Sequence, residues 1–125
     1  MLTERGLGPA IAALADRCPV PVEILEVPDE RPPRAVETTA YFTVSEALTN
    51  VAKYAQATRV TVRIAVEDDY LVVEISDDGI GGASAGTGSG LSGLSDRVGA
   101  IEGTLTVTSP PGEGTVVRAV LPLEV

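Results

Sequence analysis

Apolar positions along this chain recur first at helical spacing and then in strict alternation, and each change of rhythm marks a new element. Residues 7–17 carry Ile11, Leu14 and Ala15 at helical spacing, and Pro19 ends that helix. Residues 22–27, VEILEV, set Val22 and Ile24 in phase, with Leu25 and Val27 less cleanly so, and predict a strand. A proline-rich, charged turn over 28–33 follows. Pro33 suits the first turn of a long helix running to about Ala55, with Val36, Tyr41, Val44, Leu48, Val51 and Ala55 as its buried stripe. The period then falls to two. Residues 59–66 point Val60, Val62, Ile64 and Val66 inward and Thr61 and Arg63 outward. Residues 67–69 turn the chain into a partner strand over 70–76, apolar at Leu71, Val73 and Ile75. A loop rich in glycine, serine and alanine occupies 79–90. Residues 91–101 return to helical spacing at Leu91, Leu94, Val98 and Ile101, with Gly103 expected to cap the helix. Leu105 and Val107 share a short strand, 110–114 is a turn, and 116–123 is the last strand.

The order is helix, strand, long helix, hairpin, loop, helix, hairpin. It predicts an α/β fold, a two-layer sandwich of a mixed β-sheet covered on one face by about three helices. No internal repeat or linker breaks the chain, so residues 1–125 are expected to form a single domain.

Composition narrows the function more than the fold. A net charge of −9 without any basic run argues against nucleic acid and anionic membranes as partners. It leaves nucleotides open, because a Mg²⁺ ion and one or two basic residues offset phosphate charge locally. No apolar run approaches the length of a membrane span, and Glu4, Gly8 and Pro9 interrupt any signal-peptide core. Cys18 is the only cysteine, so no internal disulfide forms, a reducing compartment fits, and a small buried hydrophobe is its expected role. The chain has no histidine, which excludes a Ser-His-Asp triad, histidine metal sites and imidazole acid–base chemistry.

Three groups of residues carry candidate chemistry. Glu46, Asn50 and Lys53 lie four and three apart on the long helix, on one face of it. The Asn50 amide oxygen is a hard ligand suited to Mg²⁺, Glu46 suits proton chemistry, and Lys53 suits a phosphate. Taken alone, the same three residues describe a solvated helix face with ordinary charge pairing. Asp77 ends the strand over 70–76, where a carboxylate would accept from the exocyclic amine of adenine and disfavour guanine. Asp-Gly is also a common turn pair, and Asp78 is expected to face solvent. Residues 88–93, GSGLSG, match the dinucleotide-binding G-x-G-x-x-G literally. They follow a loop rather than a strand, and the acid about twenty residues on, Glu113, lies in a turn, so that reading fails. A phosphate-binding helix start survives, since it needs only the glycines and the helix.

Together these segments resemble the ATP-binding catalytic domain of bacterial two-component sensor histidine kinases, in the superfamily shared with DNA gyrase and large heat-shock chaperones (GHKL). Residues 46–55, EALTNVAKYA, are similar to the N box; 77–81, DDGIG, to the first glycine box; and 88–91, GSGL, to the second. Residues 93–98, GLSDRV, then Gly103-Thr104-Leu105 and the turn SPPGEGT over 109–115, are similar to the continuation found in the NarL-partner subfamily. The resemblance implies ATP and Mg²⁺ as ligands. It implies that Asn50 chelates the metal, that Glu46 is catalytic, and that Lys53 contacts phosphate. It places Asp77 on the adenine amino group, with Gly79 and Gly81 shaping that pocket and Thr115 supporting the contact through water. Gly88, Gly90 and Leu91 would hinge a lid over the triphosphate. Tyr54 stands where the family usually has histidine, and it retains a hydrogen-bonding hydroxyl.

The function this implies is transfer of the γ-phosphate to a histidine on a separate dimerisation helix, in two-component signalling with a response regulator. Residues 1–17 resemble the stretch that follows the phosphoacceptor helix. The domain is expected to be cytoplasmic and monomeric by itself, without direct membrane contact. Two other readings are an anti-sigma-factor serine kinase, which also lacks a phosphoacceptor helix, and a degenerate nucleotide-binding module without catalysis.

Overall fold

A computed structural model of the chain describes residues 6–52, 57–80 and 91–123, excluding the side chains of Leu91 and Ser92. The elements in order are α1 (Leu7–Arg17), β1 (Val22–Glu26), α2 (Arg34–Asn50), β2 (Val60–Glu67), β3 (Tyr70–Asp77), α3 (Leu91–Ala100), β4 (Thr104–Thr108) and β5 (Thr115–Pro122). The five strands form one sheet in the order β1-β2-β3-β5-β4. β1 runs parallel to β2, because α2 carries the chain across between them. β2–β3, β3–β5 and β4–β5 are antiparallel. The mixed sheet and the three helices of the described residues match the expected two-layer sandwich.

The alternation in β2, β3 and β5 explains the core. Val60, Val62, Ile64, Leu71, Val73, Ile75, Val117, Ala119 and Leu121 are all buried. They meet a helix layer made of Leu7 and Ile11 from α1, Val36, Ala40, Val44, Ala47 and Leu48 from α2, and Leu94 and Val98 from α3. Thr39 and Thr43 are tolerated in that layer because their hydroxyls bond back to the carbonyls of Ala35 and Thr39, at 2.9 and 2.8 Å. The Arg97 guanidinium of α3 stacks on the Phe42 ring of α2, 4.1 Å from its centroid. Cys18 is half-buried against the core, near its expected role.

Three local expectations are corrected. Val66 is exposed, because it lies at the β2–β3 hairpin end, where Tyr70 is exposed as well. Ala65 and Val72 are buried instead, paired with each other in one cross-strand row that continues through Val120 to Thr104. Leu25 is exposed at a bulge between Ile24 and Glu26, which explains its poor phase in the sequence. The cap of α3 is Glu102, not Gly103. Glu102 takes a left-handed φ of 63° while the Glu102 N–H bonds to Gly99 and the Gly103 N–H to Val98. Gly103 serves close packing, since a Cβ there would lie 2.9 Å from the Val120 carbonyl oxygen and from Val98 Cγ1. The regular helix of α2 ends at Asn50 and widens into a π-type turn over 51–52, whereas Ala55, the expected limit, lies outside the described residues.

Candidate functional site

Chain topology brings the elements that carry the described candidate residues toward one end of the sheet. The register sets Asp77, the last residue of β3, opposite Val60 at the start of β2 and Thr115 at the start of β5. β1 and β2 run parallel with α2 carrying the chain back between them, so the C-terminal end of α2 lies toward the start of β2. α2 also packs across β3 and β5. Residues 81–90 join that end to the start of α3.

Asp77 is half-buried between its neighbouring strands. It accepts a 2.8 Å hydrogen bond from the Gly79 N–H, the turn geometry an aspartate makes with its own backbone two residues on. Burial pushes its carboxyl above the usual aspartate range; backbone hydrogen bonds from Gly79 and Thr115 oppose this, and the Asp78 charge adds to it. The turn and the pocket readings of Asp77 are therefore compatible: the turn orients a partly desolvated carboxylate at a strand end.

The β4–β5 turn closes over this carboxylate's backbone. Gly112 N–H donates to the Ile80 carbonyl at 2.6 Å. Gly114 has φ +78°, and a Cβ there would sit 2.1 Å from the Asp77 carbonyl oxygen. No side chain fits that space, so Gly114 is required for β5 to start beside Asp77. The Thr115 hydroxyl is buried and lies 2.6 Å from the Ser109 hydroxyl, which fixes its orientation. Sequence reasoning assigned Thr115 but missed Gly114 and Ser109. The signal available was the Gly-Glu-Gly-Thr turn immediately before a strand.

Asp78 behaves unlike its neighbour. It is exposed, as expected, yet its carboxylate accepts from the Thr58 N–H at 2.8 Å, the Arg59 N–H at 3.1 Å and the Thr58 hydroxyl. The Thr58 hydroxyl and N–H hold its carboxyl below the usual aspartate range. This clasp joins the start of β2 to the end of β3 and was not foreseen.

On the helix side, Glu46 and Asn50 are both half-buried and one turn apart on α2. Asn50 Nδ2 is buried and has no hydrogen-bond partner among the described residues. A buried unpaired amide costs about 1–3 kcal/mol, so a polar group held this way is an open valence for a ligand. The unpaired nitrogen is a donor and suits an acceptor such as a phosphate oxygen, while the Asn50 amide oxygen is a hard ligand that fits Mg²⁺, which needs few protein ligands because it keeps waters and substrate phosphates. Among the described residues no cluster of three His, Cys, Asp or Glu forms a metal cage. Lys53, Tyr54, Gly81, Gly88 and Gly90 lie outside the described residues, as does the proposed lid. Leu91 is the first residue of α3, and Gly79 is buried beside Asp77.

The mixed five-strand sheet, three helices and strand-end carboxylate define a GHKL-type ATPase domain. The family described as histidine kinase-, DNA gyrase B- and HSP90-like ATPase matches residues 35–125. The chain belongs to that family, as an ATP-binding catalytic domain of the sensor-histidine-kinase type. Over 92 residues it is 36% identical to the oxygen sensor histidine kinase NreB of Staphylococcus carnosus (strain TM300), covering 70% of this chain. The chain spans only 26% of that relative's length. The blue-light activated histidine kinase of Erythrobacter litoralis EL346 superposes with a TM-score of 0.76 at 25% identity, over 93% of this chain and 40% of its own. The histidine kinase AdeS of Acinetobacter baumannii shares the fold, with a TM-score of 0.69 at 17% identity, covering 94% of this chain and 61% of its own.

Proposed function

We propose that this domain binds ATP together with Mg²⁺ and donates the γ-phosphate to a histidine on a separate helical unit, which then serves a response regulator. One observation supports the reading above the others: a half-buried, backbone-bonded Asp77 carboxylate lies toward the same end of the fold as the Asn50 amide, whose nitrogen has no partner among the described residues. A carboxylate at Asp77 recognises the adenine amino group, and Thr115 and Gly79 hold that carboxylate in place. Gly81 shapes the same pocket.

At the other half, Asn50 would hold the metal through its amide oxygen, with Lys53 and Tyr54 toward the phosphates. What a bound Mg²⁺ supplies there is neutralisation of charge on the phosphate oxygens. Glu46, one turn before Asn50, orients or deprotonates the attacking group. Gly88, Gly90 and Leu91 hinge the segment over the triphosphate. Catalysis on this plan is mostly positioning and charge neutralisation.

The chain has no histidine, so phosphotransfer by this domain requires an acceptor supplied elsewhere. By itself it is expected to be monomeric and to hydrolyse ATP slowly at most. Among the described residues no helix is long and apolar enough to cross a membrane. The domain acts where ATP is, on the cytoplasmic side, whether or not the parent is membrane-anchored. Incubation with γ-labelled ATP, Mg²⁺ and a histidine-bearing dimerisation unit from a related kinase tests this. Acid-labile label on histidine, lost in Glu46→Gln, is the expected result. Label on serine of a regulator would instead assign an anti-sigma-factor kinase. No transfer and no turnover would leave a binding module.

A further inference from the structure

We propose that Ser109 is a specificity-determining positioning residue of the base pocket: its hydroxyl donates to Thr115 Oγ1 and so leaves the Thr115 proton for the acceptor ring nitrogen of a 6-aminopurine. The inference rests on the nucleotide reading above and adds to it what sets the discrimination between 6-amino- and 6-oxopurines. Asp77, Thr115 and Ser109 stand in one cross-strand row. Asp77 pairs with Thr115 across β3 and β5. The β4–β5 register, which pairs Val107 with Val117, sets Ser109 opposite Thr115 when continued two residues on. Opposed residues project to the same face of a sheet. The neighbouring rows on that face, Ile75–Val117–Val107 and Val73–Ala119–Leu105, pack into the core beneath the helices. The polar row therefore lies on the helix-facing side, at the edge where the apolar core stops.

Contacts run along the row. The Thr115 backbone N–H bonds to the Asp77 carboxylate. Ser109 Oγ lies 2.6 Å from Thr115 Oγ1 and 3.4 Å from the Gly114 carbonyl oxygen. The longer contact exceeds the usual O–H···O range of about 2.5–3.0 Å, so the Ser109 proton goes to Thr115. A hydroxyl has one proton to give and two lone pairs. Thr115 accepts from Ser109 and keeps its own proton for the pocket, beside a carboxylate that only accepts. The matching base edge has a donor at position 6 and an acceptor at position 1, which is the edge of adenine. Hypoxanthine and guanine carry a carbonyl at position 6 and an N–H at position 1, and meet the wrong partner at both. Thr115 would reach the ring nitrogen directly or through one water.

The test measures calorimetric affinities for ADP and for inosine diphosphate, both with Mg²⁺, in the parent, Ser109→Ala, Ser109→Thr, Thr115→Val and the double variant. In Ser109→Ala the Thr115 hydroxyl turns freely and can accept as well as donate. ADP affinity should fall about three- to tenfold while inosine diphosphate affinity stays within about twofold, so the preference for ADP shrinks by about the same factor. Ser109→Thr keeps the hydroxyl and should restore the preference. In the Thr115→Val background, Ser109→Ala should change the preference no further. Should Ser109→Ala fail to fold in urea melts, Ser109→Cys keeps the volume but donates weakly, and carries the same prediction at smaller size. Equal losses for the two ligands would mean a merely structural role and overturn the proposal, as would an undiminished effect of Ser109→Ala in the Thr115→Val background. A parent that binds the two ligands equally, or neither, refutes the adenine reading and this inference with it. A parent that prefers ADP, with the preference intact in Ser109→Ala, refutes this inference alone.

Discussion

The strand half and the helix half of the site are built to different degrees of completion. At the strand half, Asp77 is bonded by Gly79 and Thr115, Thr115 is oriented by Ser109, and Gly114 packs against the Asp77 carbonyl. At the helix half, Asn50 keeps a buried amide nitrogen without a partner among the described residues. The half proposed to meet the base is thus preorganised by the sheet itself. The half proposed to face the phosphates carries an amide nitrogen without a partner among the described residues, a demand that a ligand would satisfy. A folded scaffold bears such a cost where binding later offsets it.

The comparison breaks most visibly at Gly114. Gly114→Ala forces a Cβ into the Asp77 carbonyl at a left-handed φ, and should destabilise the domain by more than about 3 kcal/mol. Urea melts followed by circular dichroism measure this; a loss below about 1 kcal/mol would show that β5 can shift without cost.

Asp77→Asn sharpens the strand half next. It removes a charged acceptor from the adenine contact, and adenine-nucleotide affinity should drop about 10–100-fold. An affinity within about twofold of the parent would refute the adenine role. Asn50→Ala addresses the helix half and should behave in the opposite way as to stability. Its Nδ2 makes no bond among the described residues, so unfolding free energy should change by no more than about 1 kcal/mol. The Mg²⁺-dependent part of ATP binding should nevertheless vanish. Strong destabilisation with retained metal dependence would reverse the assignment.

The smallest effect is a pH dependence of opposite sign at adjacent residues. Asp77 has its carboxyl raised by burial, so the unfolded chain ionises first. Stability therefore falls as pH rises from the ordinary aspartate value, about 3.9, through the raised folded value. Asp78 has its carboxyl lowered by Thr58. Its contribution is present above about 3.9 and is lost as pH falls through the depressed folded value. Urea melts of Asp77→Asn and Asp78→Asn across this range should diverge from the parent in opposite directions. Divergence of the same sign would contradict the two environments.

Much of the fold was legible because its strands alternate cleanly and its helices carry full apolar stripes. Val62, Ile64, Leu71, Val73 and Ile75 are buried where alternation puts them. Val66 follows the same alternation and is exposed, because burial there depends on how far the helices reach along the sheet. The site residues Glu46, Asn50 and Asp77 stood out through motif resemblance, and topology brings their elements to one end. Gly114 and Asp78 were not readable in advance. Their roles depend on cross-strand register and on donors about twenty residues away, which no local pattern encodes. Glu102 was missed because glycine is the usual left-handed helix terminator, and here the glycine was spent one position later on a close approach to β5.

The central claim is adenine-selective, metal-dependent nucleotide binding at one end of this sheet. Calorimetric titration of the domain with non-hydrolysable ATP and GTP analogues, each with and without Mg²⁺, tests it most directly. The account predicts binding of the ATP analogue that strengthens with Mg²⁺, and at least about tenfold weaker binding of the GTP analogue. Equal affinity for the two analogues, or no binding at millimolar ligand, would contradict it.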